Sequence, residues 1–440
     1  MSRLAFFFLF AYIGVVFIRP QEFVLFLNDF PLAITLECLA LSCWFFNQKK
    51  LNIIEIKSVV ALNIIIGISW ISLSMSEGIN QSLQFFFSQT LVVILISNVA
   101  DSIKRHHALL ILIALSAVIM SVHGILQIAA DDKIGWTGIK ALSRSDSLEF
   151  PVWQARYIGI FQDPNDMGML LACAIPILFY FVAVSNSFLI RLVLIAGILT
   201  VLQGIYVANS RGTIVAVIAP IALYFLIKKN MIRAIIPLAM AIPVATLVLP
   251  SRFFISDDES SNDRIEAWYQ GYLMFKSNPI IGVGKDNFTD HHFKTAHNSW
   301  VLAYAELGFL GFFFWMSMIF SALYAMYYLM SQKNTVIEKK TDLEIKIDTQ
   351  KEYERLKLFE KEKSLAATTF FSFIAVLASA FFLSRTYSFM LYLMPGLCAA
   401  SFIRITRDFP EIKIPSVQSA IFISSIAFIG LITIIVMIKS

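Results

Sequence analysis

The residues with the clearest chemical potential are one histidine and three arginines, His297, Arg156, Arg211 and Arg264, which stand in or beside polar segments between long apolar runs. An imidazole takes a proton from a hydroxyl near neutral pH, so His297, in Ala296-His297-Asn298-Ser299-Trp300, is a natural general base. The competing reading is structural, since a lone histidine most often serves packing. Arg211, in Ser210-Arg211-Gly212, stands where an apolar run begins. A guanidinium there is costly unless it snorkels to the interface or finds an anion. Its fork of N–H donors matches phosphate oxygens in pairs. Arg156 and Arg264 lie in longer polar segments and admit the same two readings, anion binding or interfacial anchoring. A metal set of Asp290, His291, His292 and His297 is a weaker alternative, because adjacent residues point apart on regular structure. No metal site and no cofactor are expected.

Membrane helices have to position these side chains. Of the 440 residues 58% are hydrophobic and 15% charged, against roughly 45–50% and about 25% in ordinary soluble domains. The mean hydropathy is +0.74. The excess falls in charge-poor stretches of roughly 16–25 residues, long enough to cross a hydrocarbon core. Spans are expected near 4–18, 31–46, 58–75, 83–99, 108–130, 165–185, 190–208, 212–227, 234–250, 299–330, 366–384, 388–403 and 416–438. The fold expected is all-α, a polytopic membrane bundle of about 12–13 transmembrane helices, rather than several soluble domains. The first run follows Arg3 but lacks a small-residue cleavage site, and reads as a retained helix. Cys38, Cys43, Cys173 and Cys398 sit in apolar stretches without a CxxC pair, so they read as packing residues.

Lys49, Lys50 and Lys57 share one short loop, Lys104 and Arg105 another, and Arg191 a third; Lys228, Lys229 and Arg233 share the next, and Arg404, Arg407 and Lys413 the last. An N-terminus inside puts all of them on the cytoplasmic side. The net charge of +5 therefore reflects topology, and no nucleic-acid partner is expected. A thirteenth span leaves Lys439 outside, against the pattern. The organisation expected is N-terminal membrane helices over 1–130, a core over 131–330, a charged cytoplasmic segment over 331–365 and C-terminal membrane helices over 366–440. The core contains long outer loops at about 131–162 and 251–297, which hold Arg156, Arg264, His297, Trp136, Trp153 and Trp268. Long loops on a membrane scaffold tend to carry function. The segment 331–365 reads as a solvated helical extension or linker.

Three helices are expected to start on that outer face. Asp163-Pro164-Asn165-Asp166 supplies a carboxylate cap, a proline at the first helical position and an acid in the first turn. Asn209-Ser210 and Asn298-Ser299 cap the other two. Each start aims unpaired N–H groups and a positive dipole end at one zone, and such ends attract phosphate. Every helix also needs a cap, so the caps matter only in combination with the arginines. Glu37 and Glu306 lie inside apolar spans, where ionisable groups are expensive. Glu306 either pairs with an arginine of the site or is protonated and packed. His123, near the outer end of its span, reads as a packed or hydrogen-bonded residue.

Taken together, these segments resemble the O-antigen ligase/polymerase superfamily of polytopic bacterial membrane proteins. The resemblance is carried by Arg156-Tyr157-Ile158-Gly159-Ile160-Phe161-Gln162-Asp163-Pro164-Asn165, by Ser210-Arg211-Gly212, by Arg264 with Trp268, by Asn278-Pro279-Ile280-Ile281-Gly282-Val283-Gly284, and by His297-Asn298-Ser299 running to Glu306-Leu307-Gly308. It covers about residues 150–330. It implies a GT-C-like, metal-independent glycosyltransferase of the bacterial cytoplasmic (inner) membrane, with its active face periplasmic. The implied donor is a glycan linked through diphosphate to undecaprenol. The implied acceptor is a hydroxyl on lipid A-core or another glycan, with membrane lipid as surroundings. In that setting His297, Arg211 and Arg264 would be catalytic, with His297 either the base or a ligand of the diphosphate, and Arg156, Asp163, Asn165, Asn298 and Glu306 would bind substrate.

A ligase is favoured over a polysaccharide polymerase. A protein O-oligosaccharyltransferase is less favoured, because no large domain follows the last expected span. From another class, a transporter or flippase would place charges at the bilayer midplane with broken helices or repeated halves. Here the charges gather at one face, with Glu37 the main exception. A hydrolase with paired carboxylates is a further alternative, though no acids are set at a working distance by their spacing.

Overall fold

Backbone groups in lipid must bond within their own segment, and this chain answers with helices almost throughout. The computed structural model describes residues 2–28, 30–46, 54–69, 75–144, 152–227, 258–332 and 349–412. The spans expected at 234–250 and 416–438 lie outside the described residues, as do Lys49, Lys50, Lys228, Lys229, Arg233, Lys413 and Lys439. The helices are α1 (Ser2–Ile18), α2 (Leu32–Phe45), α3 (Ile54–Ser69), α4 (Met75–Phe85), α5 (Leu91–Val99) and α6 (Ile103–Ala129). A π-helical turn, Phe86–Thr90, joins α4 to α5. A two-stranded hairpin follows, β1 (Leu142–Arg144) with β2 (Val152–Gln154). Then come α7 (Pro164–Val184), α8 (Phe188–Ala208), α9 (Arg211–Ile227), α10 (Asp258–Ser277), the short α11 (Phe288–His291), α12 (Ser299–Ser331), α13 (Thr349–Ala380) and α14 (Phe389–Asp408).

Among the described residues seven helices are long and apolar enough to cross a membrane, and α1, α2 and α9 are shorter apolar helices. The protein is a polytopic all-α membrane protein. Helix α7 runs through the centre, with Met167 to Cys173 all buried, and packs against α6, α8, α9 and α13. Helix α8 is the opposite case. Phe188, Leu189, Val193 and Leu199 stand exposed along it, as side chains facing lipid do. Helix α13 passes through position 365 without a break, and Phe359 and Glu362 are already buried. The charged segment thus feeds directly into a membrane helix, and its residues 333–348 lie outside the described part.

The bundle has two chemically different ends. At one, Arg404 is buried and donates from Nε and Nη2 to the two carboxylate oxygens of Glu362, each at 2.9 Å. Its Nη1 reaches the Ala100 carbonyl at 3.0 Å, and Arg105 binds Asp101 nearby. The other end carries Asp163, Ser210, His297 and the loop 381–388 between α13 and α14, and is called the site end below.

Helix α12 breaks at Gly308, where φ is 63°. The segment 279–284 lies in the break. Phe309 N–H donates to Pro279 O at 2.8 Å and Leu310 N–H to Ile280 O at 3.1 Å. In return Val283 and Gly284 N–H donate to Ala305 O and Glu306 O at 3.0 and 2.9 Å. The kink therefore leaves these backbone groups partnered. A Cβ on Gly308 would lie 2.4 Å from Gly282 N, and one on Gly282 would lie 2.3 Å from the Glu306 carbonyl carbon. Both positions also need positive φ, which glycine alone adopts without strain. Gly308→Ala should therefore destabilise the fold by at least about 1–3 kcal/mol. Thermal unfolding in detergent checks this, and an unchanged melting temperature would contradict the packing described.

Candidate functional site

Two helix starts are wired together at the site end. Asp163 caps α7 by accepting from the Asn165 backbone N–H at 2.8 Å and from Asn165 Nδ2 at 2.7 Å. The Asn165 side-chain oxygen accepts from the Ser210 hydroxyl, which in turn accepts from the Thr213 backbone N–H at 3.2 Å, at the start of α9. Arg211 is the first residue of α9 and is exposed. The turn before it is fixed by Asn209, in the left-handed region at φ 48°, and by Gln154, whose amide donates to Asn209 O at 2.6 Å. Gly168 permits the close approach, because a Cβ there would lie 1.8 Å from Thr213 Oγ1. Asp163 and Asn165 thus act on the site by orienting the start of α9.

The loop 381–388 gathers the rest. His297 sits at φ 47° and is exposed, and its backbone N–H donates to Ser384 Oγ at 2.7 Å. The Ser384 hydroxyl also bonds Thr295. Asn298 is buried and caps α12, accepting from Trp300 and Val301 N–H at 2.9 and 3.1 Å. Ser299 holds the loop from the next position. Its hydroxyl donates to Leu383 O at 2.6 Å and accepts from Arg385 N–H at 2.9 Å, while its carbonyl accepts from Thr386 Oγ1 at 2.7 Å. On the other side a Cβ at Gly212, next to Arg211, would lie 3.3 Å from Phe382 Cβ.

Helix α10 brings Arg264 to the same place through two anchors. Asp263 pairs with Lys294, and one turn past Arg264 the indole of Trp268 donates to Ala296 O at 2.9 Å. Trp268 also meets Phe381 edge-on, with ring centroids 6.0 Å apart. The loop 381–384 is therefore met by Gly212, next to Arg211, by Trp268, one turn past Arg264, and by the His297 backbone.

Beside this loop opens a cavity of about 550 Å³. Arg385 and Asp166 form its charged wall. The guanidinium donates from Nε to Oδ1 at 2.6 Å and from Nη2 to Oδ2 at 2.5 Å, a fork on a nearly buried carboxylate. Burial alone would lower the Arg385 pKa, but its Asp166 partner more than offsets this and the pKa is raised above the usual arginine value. Arg19, paired with Glu22 and packed over Gly159, forms another part of the wall. Tyr387 stands next to Arg385 in sequence, and burial and the neighbouring Glu306 and Asp286 carboxylates push its hydroxyl well above its ordinary pKa.

The remaining expected site residues serve other contacts. Arg156 is not gathered with the others: its Nε donates to the Lys140 carbonyl at 2.8 Å, and its backbone N–H to Gln127 at 3.0 Å. Among the described residues Glu306 makes no ion pair with Arg156, Arg211 or Arg264. One carboxylate oxygen accepts from Phe288 N–H at 3.1 Å, which fixes the start of α11. Glu37 is buried facing the Tyr12 hydroxyl. His123 is fully buried between Trp136 and Tyr157, at ring distances of 4.7 and 4.9 Å, as a packed residue. His292 holds the Lys294 backbone, and no group of three or more His, Cys, Asp or Glu among the described residues could hold a metal.

Residues 196–316 match the family model described as O-antigen ligase. This segment belongs to the O-antigen ligase/polymerase superfamily. No curated protein matches the chain. The matched segment runs from within α8 to within α12, and it contains Arg211, Arg264, His297, Asn298 and Glu306. Asp163, Asn165, Asp166 and the loop 381–388 lie outside it, yet they hold its residues in place.

Arg385 joins the site although it is absent from the residues expected there. Its signal was available: an arginine between two spans on the expected outer side breaks the positive-inside preference as Arg211 does. Its partner Asp166 looked like an ordinary first-turn acid. Removing that partner leaves a half-exposed guanidinium uncompensated. Asp166→Ala should therefore cost about 1–3 kcal/mol, between exposed and buried pairs. A double-mutant cycle with Arg385→Ala reads the coupling, and additive losses would show that the pair contributes nothing.

Proposed function

We propose that the protein moves a glycan from an undecaprenyl-diphosphate-linked donor to an acceptor hydroxyl, at the periplasmic face of the bacterial inner membrane, in the manner of an O-antigen ligase. Ligase/polymerase-type glycan transfer is the chemistry of the family its central segment belongs to. The observation that supports this reading is that Gly212, next to Arg211, Trp268, one turn past Arg264, and the His297 backbone all meet the loop 381–384.

In this reading the acceptor oxygen attacks the anomeric carbon and gives its proton to His297. The bond from that carbon to the phosphate oxygen breaks, and its electron pair leaves on the lipid diphosphate. Such a leaving group needs its charge met more than it needs a proton, and Arg211 and Arg264 supply guanidinium donors for it. The N-terminus of α9, held by Ser210 and Asn165, adds aligned N–H groups. The orientation rests on the cationic cluster of Arg105, Arg404 and Arg407 at the opposite end, which the positive-inside preference assigns to the cytoplasm.

The test is transfer by purified protein given a lipid-diphosphate-linked glycan and candidate acceptors. Arg211→Ala should lower the rate by about 10²–10³ and His297→Ala by about 10²–10⁴. Arg156→Ala, whose guanidinium is engaged on Lys140, should change it by no more than several-fold. Full activity in both Arg211→Ala and His297→Ala would refute the site. The acceptor that works separates ligase from polymerase, and glycan movement without a new glycosidic bond would make the protein a transporter.

A further inference from the structure

The cavity beside the loop 381–388 has no part in the chemistry assigned to Arg211 and Arg264, neither of which lines it. At about 550 Å³ it falls within the roughly 300–1,000 Å³ of small-molecule sites. Its charges are matched in place. Arg385 is committed to Asp166, Arg19 to Glu22, and Asp286 to Lys285. A diphosphate would find each of these cations already neutralised. Vicinal hydroxyls would find both donors and acceptors, in the Asp166–Arg385 fork and in the planar amides of Gln89 and Gln162.

The rest of the lining fits the same ligand. Gln89 is fixed by donating from Nε2 to Tyr387 O at 2.7 Å. The rings of Phe161 and Phe389 line the cavity among these polar groups, as apolar surface for the C–H face of a sugar ring. At its edge Ser384 both lines the cavity and receives the His297 backbone N–H. A hydroxyl held at that edge would lie beside the residue whose side chain meets the backbone of His297, the candidate base. We infer that this cavity is the seat of the acceptor's terminal sugars, recognised by Asp166, Arg385, Gln89 and Gln162, and separate from the diphosphate-binding arginines. The inference rests on the glycosyl-transfer reading and adds to it the place of the second substrate.

Gln162 and Ser88 are exposed at the cavity's edge, so bulk can be added there without disturbing the core. Gln162→Trp and Ser88→Trp, each in the full-length protein in lipid nanodiscs, fill the cavity from two different elements. Two quantities are read: KM for acceptor and for donor in the transfer assay, and the affinity for undecaprenyl diphosphate alone. Loss of ground-state binding appears in KM with kcat little changed. The expected result is a rise in acceptor KM of about tenfold or more, with donor KM and undecaprenyl diphosphate affinity within about twofold of wild type. Weakened undecaprenyl diphosphate binding, or a raised donor KM, would overturn the assignment by making the cavity a donor site. Wild-type transfer with an unchanged acceptor KM in both variants would overturn it as well. A wild-type protein that transfers nothing would sink the underlying reading and this assignment with it.

Discussion

A half-buried loop must find partners for its backbone, and the one between α13 and α14 finds them on α12. Ser299 alone takes three bonds from it, to Leu383, Arg385 and Thr386. Trp315 and Tyr392 donate to the Thr386 carbonyl at 3.3 and 3.2 Å, and Gln89 to that of Tyr387. These contacts fix residues 383–387 at the mouth of the bundle. The elements that carry the candidate site residues meet this loop over residues 381–385. Phe382 meets Gly212, Phe381 meets Trp268, Ser384 holds His297 and Arg385 holds Asp166. The loop thereby sets the mutual positions of groups carried on α7, α9, α10 and α12.

The electrostatics follow from where each cation is placed. Arg385 and Arg404 both make forked pairs with carboxylates, at opposite ends of the bundle. The Arg404 pair is fully buried and joins α13 to α14, a structural role. The Arg385 pair borders a cavity, so its remaining edge faces a space a ligand can enter. Arg211, at an exposed helix start, has the surroundings that suit an incoming anion. The same side-chain type thus occupies three settings, distinguished by burial and by place in the bundle.

Much of this was legible in the sequence, for identifiable reasons. Charge-free runs gave the helices, since lipid leaves the backbone few other choices. The caps at Asp163, Asn298 and Ser210 were readable because capping is local chemistry. What could not be read were contacts between residues far apart in the chain. Asp166 and Arg385 are 219 positions apart, and nothing in either neighbourhood announces the other. Glu306 was open between an ion pair and packing, and the answer depended on where the 279–288 segment folded back. Arg156 looked like its counterparts by type and location, but its guanidinium bonds a carbonyl fourteen residues upstream of β2's end, at Lys140.

The central claim is that the loop 381–388 lies against the start of α9, so that Arg211 and the His297 support share one locus. The Cβ of a residue at 212 would be 3.3 Å from that of Phe382, close to the roughly 3.5–4.5 Å a disulfide requires. Gly212→Cys combined with Phe382→Cys, with Cys38 and Cys43 replaced by alanine, tests it directly. The account predicts a crosslink on mild oxidation in the folded, membrane-embedded protein. Two thiols that each react with a labelling reagent but never join would contradict it.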